Sequence, residues 1–320
     1  MRVLITGATG LIGKAIVRQL HEKGIVVNYL TTSKDKIVFQ ENYRGFYWNP
    51  AANEIDLRCF EEVTAIINLA GSSISKKWTT SYKAQVLDSR ILSLKTLKEG
   101  IIQSNNNTIT SFVSASAIGI YPNSLSLFYT EQENQVDKSF LGDVVAAWEK
   151  EVDTFNSFDF SVAKIRVGLV LSMNGGALPQ ITKTVKNYIG AAFGSGEQWQ
   201  SWIHVKDLAR LFVFAVNNKL QGIFNGVAPN PVTNSKLTKE VGKALDKPVV
   251  LPNIPEFMMK LILGEMSYLL FASQRVSSKL IEEQGFKFDY STLCNALADL
   301  YEIDDDEREC GSAYPKEYVS

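Results

Sequence analysis

Soft metal ligands are scarce in this 320-residue chain, which has two histidines and three cysteines. Cys59, Cys294 and Cys310 lie far apart, and none has a partner at C-x-x-C spacing. That spacing argues against a cysteine-stapled secreted scaffold and against a zinc site, and it fits a reducing compartment. An excess of either charge is also missing: 33 Lys and Arg face 34 Asp and Glu, a net charge of −1. The basic footprint of a nucleic-acid binder is therefore absent. No apolar run reaches the ~20 residues needed to span a bilayer. Phe257–Ala272 comes nearest, but Lys260, Gly264 and Glu265 interrupt it, and it reads as a buried or interface helix. The opening MRVLITGATG has neither the basic region nor the cleavage site of a secretory leader. No motif recurs, so no repeat array is expected. What remains is a chain 45% apolar and 21% charged, the composition of an ordinary globular protein. It is expected in the cytoplasm, with no nucleic-acid or membrane partner.

Short β-branched runs alternate with longer amphipathic stretches through the first half. Val3–Thr6, Ile25–Thr31, Ala65–Leu69, Ile109–Ser114 and Phe160–Val167 read as strands. Ile12–Lys23, Trp78–Gln103 and Gly142–Phe155 read as helices, the first with Ile12, Ile16, Val17 and Leu20 on one face and Gly24 as its terminator. The strands are apolar throughout rather than alternating, as in a parallel sheet covered on both faces. The fold class is therefore α/β, a doubly wound parallel sheet. The second half is looser, with glycine-rich loops, prolines at 229 and 231, and helical patterns at Ser235–Leu245, Pro255–Phe271, Ser277–Gln284 and Tyr290–Leu300. It reads as a smaller, mainly helical lobe. Asp207 is expected to cap the helix it opens, Leu208–Val216, and His204 to be a satisfied structural histidine.

Thr6-Gly7-Ala8-Thr9-Gly10-Leu11-Ile12-Gly13 stands between the first strand and the first helix. That context turns a glycine pattern into a dinucleotide site. Gly7 permits a sharp turn, Gly10 lets a pyrophosphate approach the backbone, and Gly13 lets the helix pack closely. The helix start then offers unpaired N–H groups and a positive dipole end to phosphate. The spacing is GxxGxxG rather than GxGxxG. Past the second strand, Thr32, Ser33 and Lys34 precede the first carboxylate, Asp35. A cation and hydroxyls at this point favour the 2′-phosphate of NADP, with NAD the alternative.

TGATGLIG, INLAGSSIS, KWTTSYKAQVLDSRI, VSASAIGIY, RVGLVLSMNGGALP, GSGEQWQSWIHVKDLA, LILGEMSYLLFASQRV and EEQGFKFDY follow one another in that order. With them the chain closely resembles the YfcH-type epimerase-family proteins, a branch of the extended short-chain dehydrogenases/reductases. The resemblance runs from Arg2 to about Tyr301. It implies a Rossmann-like dinucleotide domain over 1–167, to which a segment around 200–226 returns. It also implies a substrate lobe over 168–303, ahead of an acidic, flexible tail at 304–320. It places Leu69, Ala70 and Gly71 beside the cofactor and puts Ser114 and Ser116 where the superfamily keeps its catalytic hydroxyl. Ser116 is the better match, and Ser114 goes to the cofactor.

The superfamily's usual proton donor is the tyrosine of a Tyr-x-x-x-Lys pair. A phenol near pKa 10 needs the lysine and the cofactor's ring to act at neutral pH. None of the twelve tyrosines here has lysine four positions on, and Leu141 and Val145 stand at the two positions. Tyr121, on the loop after Ser116, is the substitute acid. Gln198 and Trp199 are expected on a loop near substrate, and Arg275 is expected to grip a substrate phosphate. Two functions follow. One is an NADP(H)-dependent oxidoreductase or epimerase acting on a hydroxyl or carbonyl of a nucleotide-sugar-like metabolite. The other is an NADP(H)-binding sensor or scaffold with little chemistry.

Overall fold

Val3, Leu4 and Ile5 are wholly buried in the strand Arg2–Thr6, in the interior of a nine-stranded sheet. The structure, a computed structural model, describes residues 1–303, so the expected tail at 304–320 lies outside the described residues. It divides into two units. The first comprises Met1–Ile120, Val136–Arg166 and Leu208–Phe224; the second comprises Tyr121–Gln135, Val167–Asp207 and the chain from Asn225 onward.

Across the sheet the order is Gly222–Gly226, Ser161–Val167, Ser111–Ala117, Ala65–Asn68, Arg2–Thr6, Val26–Thr31, Tyr43–Asn49 and Phe39–Gln40. Glu54–Ile55 is added beside Tyr43–Asn49. Arg2–Thr6 pairs in parallel on both sides, Thr6 standing level with Leu30 and with Asn68. From this strand the chain winds first one way and then the other. The carboxyl ends of Arg2–Thr6 and Ala65–Asn68 thus form the switch point at which open α/β sheets bind ligands. Ala65–Asn68 is buried at every position, which matches the unbroken apolar runs in the sequence. The first helix, Leu11–Glu22, buries Gly13, Ile16 and Leu20 at helical spacing. It ends where Gly24, at φ +67°, donates its N–H to the carbonyl of His21.

The core of the second unit gathers Leu171, Leu178, Val185, Trp202, Leu237, Val241, Leu293 and Leu297. The run expected as one helix over Pro255–Phe271 is broken at Gly264 (φ +60°) into Glu256–Leu263, a 3-10 turn and Tyr268–Phe271. Nor is it buried: Phe257, Leu261 and Ile262 are 71, 87 and 68% exposed. No helix among the described residues is long and apolar enough to cross a membrane. Asp207 lies in the first turn of Val205–Asn217, the N-terminal position expected of it, and its carboxylate also accepts from the backbone N–H groups of Asp289 and Tyr290. It thereby ties a loop 82 residues further along the chain to its helix.

His204 is fully buried and stacks on Tyr290, with ring centroids 3.9 Å apart. Its Nδ1 accepts from the N–H of Lys206, and its Nε2 lies 3.2 Å from Asp299. Burial pushes the imidazole down to about 4, against the pull of Asp299. The unfolded chain, with histidine near 6.5, therefore takes up this proton first as the pH falls. Stability is full above about pH 6.5 and declines by roughly 3 kcal/mol down to about pH 4. Urea unfolding across that window checks this: His204→Gln should flatten the decline, and an equal slope in both proteins would refute it.

Candidate active site

Thr6 ends the central strand with its hydroxyl turned to its neighbour. Its Oγ1 donates to Asn68 Oδ1 (2.7 Å) and accepts from the N–H groups of Leu69 and Ala70 (2.9 and 3.0 Å). Asn68 Nδ2 donates to Ser114 Oγ (3.0 Å), which donates to the carbonyl of Ala115 (2.9 Å). Two strand ends and the middle of Ser111–Ala117 are thereby tied together at the switch point by buried polar groups that satisfy one another. Ser114, expected at the cofactor, is wholly buried within this chain of bonds. The sequence places Thr6 at the glycine turn and Asn68 at a strand end, each a polar residue ending an apolar run, but gives no sign that the two bond to each other.

The glycine turn follows Thr6. Gly7 has φ +71°, and a Cβ there would come within 3.0 Å of the Leu69 carbonyl oxygen. Gly10 N donates to Gly7 O, and Gly10 precedes the helix with no side-chain cap and no acid in the first turn. Thr9 and Gly7 line a cavity of about 700 Å³, a ligand-sized volume. Thr32, Ser33, Ala70 and Gly71 line it as well, whereas Gly10, Leu11, Ile12, Gly13 and Leu69 do not. Gly13 packs on the turn rather than on the sheet: a Cβ would meet Gly7 O at 2.2 Å and Ala8 Cα at 2.6 Å. Lys34 does not line the cavity either, since its Nζ lies 5.0 Å from the centre of the Tyr47 ring. Lys36 lines it instead, with Trp48, Asn49 and Pro50, and its one lining carboxylate is Asp88. The Trp48 side arrives because Tyr43–Asn49 pairs with Val26–Thr31, Thr31 level with Tyr47. Local sequence gives no sign of this pairing.

Ser116, one residue before the end of Ser111–Ala117 and 3% exposed, donates its hydroxyl to Glu149 Oε1 at 2.5 Å. Arg166 grips both oxygens of that carboxylate, Nε to Oε1 at 2.8 Å and Nη2 to Oε2 at 2.9 Å. Lys164 lies 4.0 Å from Oε2 and pairs with Asp153 at 2.6 Å. Burial opposes the charge on Glu149, but Arg166 outweighs it, with help from Ser116 and Lys164, and the carboxyl sits below its usual range. An ionised Glu149 can only accept, so the single proton of Ser116 is committed to it. Glu149 is the functional candidate that sequence reasoning passed over. It belongs to Phe140–Asp153, the helix bearing Leu141 and the buried Val145.

In the second unit, Tyr121 is not presented on an open loop. It is fully buried, stacked on Tyr129, and its hydroxyl donates to Asn225 Oδ1 at 2.7 Å. Gln198 is likewise turned inward, its Nε2 donating to the carbonyls of Phe193 and Leu270. Trp199 and Arg275 do come together: the guanidinium lies 4.5 Å from the centre of the indole ring and 5.1 Å from that of Phe128. Among the described residues no group of three His, Cys, Asp or Glu is placed to hold a metal ion.

Comparison with known proteins places this geometry in context. The sequence profile of the NAD dependent epimerase/dehydratase family matches residues 3–225, and that of a domain of unknown function, DUF1731, matches residues 254–300. Epimerase family protein SAR0825 of Staphylococcus aureus is 36% identical over 93% of this chain and 98% of its own. Epimerase family protein SERP0438 of Staphylococcus epidermidis is 34% identical over the same shares. Among solved structures, human epimerase family protein SDR39U1 (isoform 2) with NADPH superimposes with a TM-score of 0.83 at 26% identity. It covers 95% of this chain and 100% of that one. A nucleoside-diphosphate sugar epimerase from Corynebacterium glutamicum follows with a TM-score of 0.75 at 28% identity, covering 94% of this chain and 58% of that one.

Proposed function

The chain belongs to the NAD dependent epimerase/dehydratase family, and we propose that it is an NADP(H)-dependent oxidoreductase or epimerase acting on a hydroxyl or carbonyl of a nucleotide-sugar-like metabolite. One observation carries the reading: an uncapped helix start behind a glycine turn, at the switch point of a parallel sheet, beside a ligand-sized cavity. The fit to a dinucleotide is good, because Gly10 leaves free the space a Cβ would fill and no acid in the first turn opposes phosphate. Gly7, Thr9, Gly10 and the first turn, Leu11 to Gly13, would hold the diphosphate. Leu69, Ala70 and Gly71 would flank it, while Thr32, Ser33 and Lys36 would face the ribose phosphate, with Lys34 at the rim. Human SDR39U1, solved with NADPH, supports the choice of NADP, and the Corynebacterium relative supports a sugar nucleotide as substrate.

The bound cofactor would supply or take hydride. Ser116, its proton held by Glu149, would offer lone pairs and so accept a hydrogen bond from a substrate hydroxyl. Tyr121 would act by fixing the second unit's interior, since its phenol is already engaged by Asn225. Gln198 would order its loop, and the Trp199–Arg275 stack would offer an aromatic and cationic face to a nucleotide. The second reading, a binding protein with little turnover, is favoured by Leu141 and Val145 where a Tyr/Lys pair would serve. Titration with NADPH and NADH, and absorbance at 340 nm across sugar nucleotides and small carbonyls, separates the two. Tighter binding of NADPH than NADH is expected, with turnover that falls at least tenfold in Ser116→Ala. Tighter binding of NADH would overturn the cofactor choice, and NADPH binding without turnover would favour the sensor.

A further inference from the structure

We infer that Arg90, on the helix Thr80–Ser104, supplies the counter-charge for the diphosphate of the bound dinucleotide; this rests on the cofactor reading above. The guanidinium is packed between the Gly71–Ser72 backbone and the ring of Trp148. A Cβ on Gly71 would come within 3.1 Å of Arg90 Cζ and 3.3 Å of both terminal nitrogens, and the Trp148 ring centre lies 4.9 Å away. Gly71 and Ser72 themselves line the cavity together with Gly7 and Thr9. Arg90 itself does not line the cavity, but it stands directly behind the Gly71–Ser72 backbone that does.

Among the described residues the charge has no carboxylate partner. Nη1 donates to two carbonyl oxygens, of Val86 at 2.8 Å and Ser72 at 3.3 Å, and Nε and Nη2 donate to no described residue. Burial lowers the guanidinium to about 10, and the one ionisable neighbour that acts on it is Tyr82. Arg166, buried where Arg90 is part-buried, shows the contrast, since it has a carboxylate on its fork. A structural arginine in such surroundings is ordinarily paired, because leaving a desolvated cation uncompensated is costly. Through the Gly71–Ser72 backbone the charge on Arg90 would act on a phosphate in the cavity, and two donors of its planar fork have no described acceptor that competes for them. The uncapped helix start adds positive potential of the same sign, so an anion between the two would be held by both.

The test is titration of wild type, Arg90→Gln and Arg90→Lys with NADPH, ADP-ribose and 2′-AMP, alongside thermal unfolding. ADP-ribose keeps the diphosphate and 2′-AMP lacks it. Arg90→Gln should weaken NADPH and ADP-ribose at least tenfold and leave 2′-AMP within twofold, with the loss shrinking as salt rises. Arg90→Lys, which keeps the charge but not the fork, should lose less, and it carries the same comparison should the glutamine variant not fold. Unchanged NADPH affinity in a folded variant, or a loss confined to 2′-AMP, overturns the inference. A wild-type protein that binds no dinucleotide at all overturns the cofactor reading beneath it.

Discussion

Glu149→Ala should cost the protein about 3–5 kcal/mol of unfolding free energy, the penalty for removing one partner of a buried ion pair. The reason lies in what is left behind. Arg166 is 4% exposed, and without Glu149 it loses the carboxylate that its Nε and Nη2 both grip. Lys164 is less affected, because Asp153 holds it at 2.6 Å. Ser116 loses its acceptor too, and its hydroxyl becomes free to donate. Most of the loss should be recovered in Glu149→Leu/Arg166→Met, where both charges are replaced by apolar groups of similar volume. Urea unfolding of the two single variants and the double variant reads the coupling. Additive losses would show that the pair is not the unit its geometry indicates.

Gly13→Ala should be the second severe change, and Gly10→Ala its mild counterpart in stability. At Gly13 a methyl group would stand 2.2 Å from Gly7 O and 2.8 Å from the Ala8 carbonyl carbon. Backbone cannot rotate away as a side-chain end can, so the turn itself must shift. A cost of about 3 kcal/mol is expected, at the upper end for overpacking, with NADPH binding lost along with the displaced turn. At Gly10 φ is an ordinary −78° and the only contact is Gly7 O at 3.2 Å. Gly10→Ala should therefore unfold within a degree or two of wild type yet bind NADPH at least tenfold more weakly, because the methyl group keeps the pyrophosphate off the backbone. Thermal unfolding paired with NADPH titration separates the two effects. Equal melting losses at both positions would contradict the contrast.

The parts of the fold legible in the sequence are those fixed by local chemistry. The glycine turn, the first helix and the central apolar strands follow from periodicity and from residues that only a turn requires. Parts fixed by distant pairing were hidden. Trp48 and Asn49 reach the cavity only through the register of Tyr43–Asn49 on Val26–Thr31. Glu149 meets Ser116 across 33 residues, and nothing near either residue announces the other. Lys36 rather than Lys34 faces the cavity because a single 3-10 turn over Lys34–Lys36 redirects the side chains. Tyr121 and Gln198 have polar side chains of the right kind, but burial turned both into internal ties. Sequence chemistry shows what a side chain can do; whether it faces a ligand depends on contacts made far along the chain.

The order in which the segments are synthesised has its own consequence. The first unit is assembled from three separated stretches, and Gly222–Gly226 closes the sheet beside Ser161–Val167. Val167–Asp207, which belongs to the other unit, emerges from the ribosome in between. At translation rates of 5–20 residues per second, the open flank of Ser161–Val167 waits roughly 3–11 s for its neighbour. During that interval the nascent chain carries an unpaired strand edge, and Lys164 and Arg166 on it are charges of the kind that discourage mispairing.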